Sequence, residues 1–143
     1  MYRNKVKMLI LEKEPSQFSI QCNKDKFCMI NSNPISLEVV SCPSVQAING
    51  AGKSFDAIIY DTEIDDTPLQ TFNNINNKFS STPIIVLSSI KETDSTIDML
   101  QNGAYDYIIK GFKNYSQVLY CVTGAVKQHD ELEKLKAISK SFL

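Results

Sequence analysis

The sequence has few of the residues that mark metal and disulfide frameworks. Its 143 residues include no tryptophan, one histidine and four cysteines. No two cysteines form a Cys-x-x-Cys pair, and His129 lies far along the chain from three of them. We therefore predict reduced thiols that pack as small hydrophobic side chains, as is usual in a cytoplasmic protein.

Glycine is also scarce, and it is missing where a phosphate-binding loop would need it. The stretch "NGAGKS" (49–54) resembles the end of such a loop, but Ala47 stands where the motif requires a glycine. No strand directly precedes this stretch, and the first apolar run is followed by "EKEPSQ" (12–17). Nucleotide binding through a glycine-rich loop is therefore not expected.

Neither charge nor long apolar runs point to nucleic acid or membrane. The formal net charge is -1, so no overall basic field would attract nucleic acid or an anionic lipid surface. The run "MLIL" (8–11) is far too short to cross a bilayer. The chain length suits a single domain with a sizeable core.

Five short apolar runs predict five buried strands. Each is rich in Ile, Val or Tyr and apolar nearly throughout, which is typical of strands covered on both faces. The runs are "KVKMLIL" (5–11), "SLEVV" (36–40), "FDAIIY" (55–60), "TPIIVLS" (82–88) and "YDYIIK" (105–110).

The segments between these runs favour helices. Residues 93–103 place Ile97 and Leu100 on one face, and the segment from about 113 onward is the most regular helix. The segments 15–32 and 43–52 are weaker helices, interrupted by Asn, Gly and Pro. The alternation predicts a three-layer (βα)5 domain with a flavodoxin-like, doubly wound parallel sheet, strand order 2-1-3-4-5, and an extended C-terminal helix.

Polar residues follow four of the five runs. Glu12 comes after the first, Asp61 after the third, Ser88 ends the fourth and Lys110 ends the fifth. Ligands of an open parallel sheet bind beyond the carboxyl ends of its strands, at the point where the strand order reverses. We therefore expect two carboxylates, a hydroxyl and a lysine ammonium to meet at one edge of the sheet.

The chain resembles the receiver domain of two-component response regulators over essentially residues 5 to 127. The strongest similarity is in "PIIVLSSIKETDSTIDMLQNGAYDYIIKGF" (83–112). The resemblance implies a domain that takes a phosphoryl group from a histidine kinase or phosphotransfer protein and turns over no independent substrate. It assigns Asp61 as the phosphoacceptor, Lys110 as the cation that contacts the phosphoryl group, and Ser88 and Tyr107 as switch residues.

The resemblance also implies a Mg²⁺ site, formed by Glu12, Asp61 and the backbone carbonyl of Glu63. Here the sequence departs from the family, because Lys13 stands where a second acidic ligand is expected. The Lys13 ammonium is a candidate substitute for the metal. The alternative to an active receiver is a degenerate one that acts as a phosphorylation-independent interaction or dimerisation module.

Each of these residues has a simpler interpretation. Asp61 could cap a turn, Ser88 could be an ordinary loop hydroxyl, Lys110 could be a solvated surface lysine, and Tyr107 could fill the core.

The C-terminal segment predicts an amphipathic helix that continues beyond the domain. Leu132, Leu135, Ile138 and Phe142 follow at spacings of three or four residues. We predict a receiver domain over 1–127 and, over 128–143, an extension that links to an output domain absent from this chain. A homodimer is expected through this helix, or through the surface of the fourth helix, fifth strand and last helix.

Overall fold

The computed structural model describes residues 3–50, 54–88, 93–110 and 114–141. Within these ranges the strands are β1 (Lys5–Leu11), β2 (Phe27–Ile30), β3 (Asn33–Cys42), β4 (Ala57–Asp61), β5 (Ile84–Ser88) and β6 (Asp106–Ile109). The helices are α1 (Gln17–Asp25), α2 (Pro68–Lys78), α3 (Thr93–Gln101) and α4 (Asn114–Ser141). Two short 3-10 helices cover Gln46–Gly50 and Thr62–Ile64.

The sheet confirms the predicted order of the five apolar runs. Its strand order is β2-β3-β1-β4-β5-β6, and β3, β1, β4, β5 and β6 pair in parallel. These five strands are the five predicted runs, in the order 2-1-3-4-5. The chain therefore has the three-layer α/β fold that the alternation predicted.

The hairpin strand β2 was not predicted, because residues 15–32 read as one weak helix. Helix α1 ends where Lys26 takes a left-handed conformation with φ 58° and donates its N–H to the Cys22 carbonyl. The chain then returns as β2, antiparallel to β3. Asn31 and Ser32 join the two strands with φ 52° and 65°. Two positive φ angles in a two-residue loop are the mark of a type I′ hairpin turn.

The connection between β3 and β4 also differs from the prediction. Residues 43–52 were expected to form a weak helix, but the described part contains only the short 3-10 helix Gln46–Gly50. Pro43 and Gly50 lie at the two ends of this stretch and disfavour a longer helix. Ile48 is the fully buried side chain that this turn contributes to the core.

Two apolar layers cover the sheet. Val6, Met8 and Ile10 of β1 belong to the layer shared with α1 and α4, whereas Leu9 and Leu11 belong to the layer shared with α2 and α3. Burial on both faces explains why β1 is apolar nearly throughout. The four cysteines are unpaired, and three of them are buried, as predicted. Burial raises the pKa of the Cys22 thiol to about 12.

Helix α4 packs on the sheet through its first half only. Val118, Val122 and Val126 are buried, whereas residues 131–141 are all exposed. Leu135 follows Val126 by nine residues, or two and a half helical turns, so it lies on the side of the helix opposite Val126. Leu132, Leu135 and Ile138 are exposed, as is the rest of 131–141, while Phe142 lies outside the described residues. A domain boundary at 127 stays a prediction.

Ion pairs anchor α4 just before this exposed segment. The Arg3 guanidinium donates two hydrogen bonds to the Asp130 carboxylate, at 2.8 Å from Nε and 2.6 Å from Nη2. The same guanidinium lies 2.8 Å from Asp56 Oδ1.

In the described ranges, no helix is both long and apolar enough to cross a membrane.

Candidate functional site

The strand register brings the predicted residues to one edge of the sheet. Leu11 pairs with Tyr60, so the residues that follow them, Glu12 and Asp61, lie at neighbouring strand ends. Asp61 pairs with Leu87, and Ser88 pairs with Ile109. Glu12, Asp61, Ser88 and Lys110 thus lie at the carboxyl ends of four adjacent strands.

Asp61 and Lys110 form the centre of this edge. Lys110 Nζ lies 2.7 Å from Asp61 Oδ2 and 2.9 Å from Glu63 Oε2. The other carboxylate oxygen, Asp61 Oδ1, accepts the backbone N–H of Glu63 at 2.9 Å. Asp61 therefore caps the short helix Thr62–Ile64 and forms the ion pair at the same time. The side chain of Glu63 was not predicted to take part, since only its carbonyl was assigned a role.

Lys110 is held as a cation by this arrangement. Partial burial lowers its pKa, but hydrogen bonds to Asp61 and Glu63 outweigh that effect and raise the pKa above its ordinary value. Its backbone N–H donates to the Ser88 carbonyl at 2.8 Å, which fixes the end of β6 beside the end of β5. Lys110 is thus not a solvated surface lysine.

Ser88 is buried at the end of β5, with only 1% of its surface exposed. Its Oγ accepts a hydrogen bond from Thr96 Oγ1 at 2.9 Å, and Thr96 is equally buried. Thr96 was not predicted as a site residue, because the sequence pattern of this helix drew attention only to Ile97 and Leu100. The buried residues of α3 include Thr96 and Met99, whereas Ile97 is exposed.

Tyr107 lies on the edge strand β6 with its side chain partly exposed, as is that of Ile109 two residues later. Alternate residues of a strand face the same side, so the two side chains line one face of this edge.

Glu12 is almost fully buried, at 3% exposure, and both of its carboxylate oxygens are engaged. Oε1 accepts the Ser16 N–H at 2.8 Å, and Oε2 accepts the Ser41 hydroxyl at 2.9 Å. Lys13 is exposed and forms no ion pair with any described residue. The Asp61 carboxylate is therefore neutralised by Lys110 and not by Lys13.

These residues fit a Mg²⁺ ion poorly. Mg²⁺ requires oxygen ligands in near-ideal octahedral geometry. Glu12 uses its oxygens in hydrogen bonds with Ser16 and Ser41, Lys13 offers no oxygen, and Lys110 occupies one side of Asp61. Across the described ranges, no three His, Cys, Asp or Glu side chains are grouped so that they could hold a metal.

Comparison with protein-family models and with curated protein sequences finds no match. Solved structures with the same fold are found. A response regulator receiver domain protein from Clostridium thermocellum is similar at a TM-score of 0.71 and 16% identity, over 89% of this chain and 98% of that one. FixJ from B. japonicum is similar at a TM-score of 0.71 and 14% identity, over 95% of this chain. NtrX from Brucella abortus reaches 0.76 at 14% identity, again over 95% of this chain.

At these identities the similarity establishes the fold alone. The chain has the fold of response regulator receiver domains, which agrees with the resemblance in its sequence. It spans 64% of the FixJ chain and 30% of the NtrX chain, both of which are longer.

Proposed function

We propose that this chain is a two-component receiver that accepts a phosphoryl group on Asp61 from a phosphohistidine of a partner kinase or phosphotransfer protein. The observation that supports it most is the Asp61–Lys110 ion pair of 2.7 Å at the strand ends, next to the buried Ser88. Such a transfer requires of the protein a nucleophile and positive charge close to the phosphoryl group, which Asp61 and Lys110 can supply.

In this proposal an Asp61 carboxylate oxygen attacks phosphorus and forms the new O–P bond. The N–P bond of the phosphohistidine breaks, its electron pair stays on the imidazole nitrogen, and that nitrogen takes a proton from solvent. Lys110 carries three N–H donors and already spans two carboxylates, so it can contact a phosphoryl oxygen without leaving the site. The resulting phosphate adds negative charge beside Glu63, which weakens the hold of Glu63 on Lys110.

The new charge would act on the switch residues. Ser88 would turn its hydroxyl toward the phosphoryl group, and Tyr107 would turn inward to fill the space that Ser88 leaves. Tyr107 lies on the edge strand β6, which contacts both α3 and α4, so this movement would change the surface formed by α3, β6 and α4.

We further propose that the exposed end of α4 passes the signal to a partner. Leu132, Leu135 and Ile138 form a stripe of exposed apolar side chains spaced three residues apart, which suits a second copy of this helix. The similar chains FixJ and NtrX extend well beyond the region they share with this one, so a longer protein with an output module is proposed here too. The chain would work in the cytoplasm, without independent substrate turnover.

A second candidate is a receiver-type interaction module that needs no phosphate. The observation that favours it is the state of the two positions after β1. Both carboxylate oxygens of Glu12 are already hydrogen-bonded to Ser16 and Ser41, and Lys13 stands where a second acidic residue would be expected.

Exposure to acetyl phosphate with millimolar Mg²⁺, followed by intact mass spectrometry, separates the two candidates. The first predicts a gain of one phosphoryl mass in the wild type, its loss in Asp61→Asn, and its retention in Asp66→Asn, a matched control at an exposed acid of the same loop. No gain in the wild type with any small phosphodonor would favour the second.

A further inference from the structure

Helix α3 is fastened to the site by a hydrogen bond that the proposed transfer does not use. Thr96 Oγ1 donates to Ser88 Oγ at 2.9 Å, and both side chains are 1% exposed. The bond joins the last residue of β5 to the first full turn of α3. It therefore links the hydroxyl of Ser88, the proposed switch residue, directly to α3.

This position makes the bond sensitive to what Ser88 does. Breaking a hydrogen bond between two buried hydroxyl groups costs free energy. If Ser88 turned toward a phosphoryl group on Asp61, its Oγ would move away from Thr96. The Thr96 backbone is part of helix α3, so a shift of its Cα requires the helix to move as well.

We infer that Thr96 is a positioning residue that couples the Ser88 hydroxyl to α3. While the Thr96–Ser88 bond is intact, α3 is held in its present position and the Ser88 hydroxyl is engaged by the helix. When the bond breaks, α3 is released and the exposed surface around Ile97 changes. The role of this coupling in signalling rests on the proposed function, whereas the coupling itself does not require phosphate.

Three variants test the coupling: Thr96→Val removes the hydroxyl, Thr96→Ser keeps it, and Ser88→Ala removes its partner. Amide hydrogen exchange of α3 is measured for each variant, for the double variant Thr96→Val/Ser88→Ala and for the wild type, with α1 as an internal reference. Exchange in α3 should quicken about fivefold in Thr96→Val and in Ser88→Ala, the size expected for one net hydrogen bond. The double variant should add little to either single change, and Thr96→Ser should resemble the wild type.

The same variants are exposed to acetyl phosphate. Thr96→Val should gain the phosphoryl group a few times faster than the wild type, because Ser88 no longer has to break its bond to Thr96. A general loss of stability in this variant would not accelerate phosphorylation. If no variant is phosphorylated, the proposed function fails, and the exchange experiment alone decides the coupling. Equal α3 exchange in Thr96→Val and Thr96→Ser, or full additivity in the double variant, overturns the inference.

Discussion

Replacing Lys110 by methionine removes the cation at the centre of the candidate site while keeping a side chain of similar length. In the structure the ammonium lies 2.7 Å from Asp61 Oδ2, and the two side chains are 29% and 13% exposed. The substitution leaves Asp61 mostly buried, with the Glu63 N–H as the hydrogen bond to its Oδ1 and the Glu63 carboxylate nearby.

The expected loss in the free energy of unfolding lies between the values for exposed and for buried ion pairs. Exposed ion pairs contribute up to about 1 kcal/mol, whereas removing one partner of a fully buried pair costs about 3–5 kcal/mol. The intermediate exposure of this pair gives a loss of about 2 kcal/mol in the free energy of unfolding. For a domain of this size, that loss corresponds to a Tm lower by roughly 6 °C.

Urea and thermal unfolding of Lys110→Met, Asp61→Asn and the double variant provide the measurement. Asp61→Asn should lower the free energy of unfolding less than Lys110→Met does. In Asp61→Asn the ammonium of Lys110 keeps its ion pair with Glu63 at 2.9 Å, and Lys110 is the more exposed partner. The double variant should be more stable than the sum of the single losses predicts, by about 1 kcal/mol or more. Lys13→Met, at an exposed lysine without an ion pair among the described residues, should stay within about 0.5 kcal/mol of the wild type. A Lys110→Met variant as stable as the wild type, or additive losses, would refute the reasoning.

Three further predictions concern the metal, the helix anchor and the exposed stripe. Lys13→Asp should tighten Mg²⁺ binding by adding a carboxylate next to Glu12 in the chain, and an unchanged calorimetric titration would show that the missing second acid does not limit metal binding. The Arg3 hydrogen bonds lower the pKa of Asp130, so the stability that this carboxylate contributes is present above its unfolded-state pKa and is lost as pH falls through its folded-state pKa. The difference in unfolding free energy between the wild type and Asp130→Asn should therefore be at most about 1 kcal/mol near neutral pH and vanish in acid, and a difference independent of pH would count against the anchor. Leu135→Glu should lower the dimer fraction in sedimentation velocity but change the stability of the domain by less than about 0.5 kcal/mol, because the side chain is exposed; an unaltered dimer fraction would remove the stripe as the contact.

The sequence predicted the parallel sheet and the Asp61–Lys110 contact for one physical reason. Strands buried on both faces are apolar throughout, so their ends are visible as the positions where polar residues begin. Asp61 and Lys110 are such positions, and the strand order then places them at the same edge of the sheet, on either side of the end of β5. The contact could be predicted although 49 positions separate the two residues, as the numbering shows.

Features that depend on local alternatives could not be predicted in the same way. Strand β2 is four residues long and leaves Phe27 and Met29 exposed, so its pattern differs little from that of a weak helix. The carboxylate of Glu12 follows a buried strand as expected, but nearby Ser16 and Ser41 offer it hydrogen bonds that no strand pattern reveals. A threonine in a polar stretch reads as a helix cap, and only tertiary packing shows that Thr96 faces Ser88.

Locating the phosphoryl group within the chain tests the central proposal most directly. The wild type is treated with acetyl phosphate and Mg²⁺, the acyl phosphate is reduced with borohydride, and the peptides are sequenced by mass spectrometry. Asp61 is predicted to be the residue converted to homoserine, with no conversion at Glu63, Asp65 or Asp66. An unmodified Asp61, or reduction at another carboxylate, would contradict the assignment of Asp61 as the phosphoacceptor.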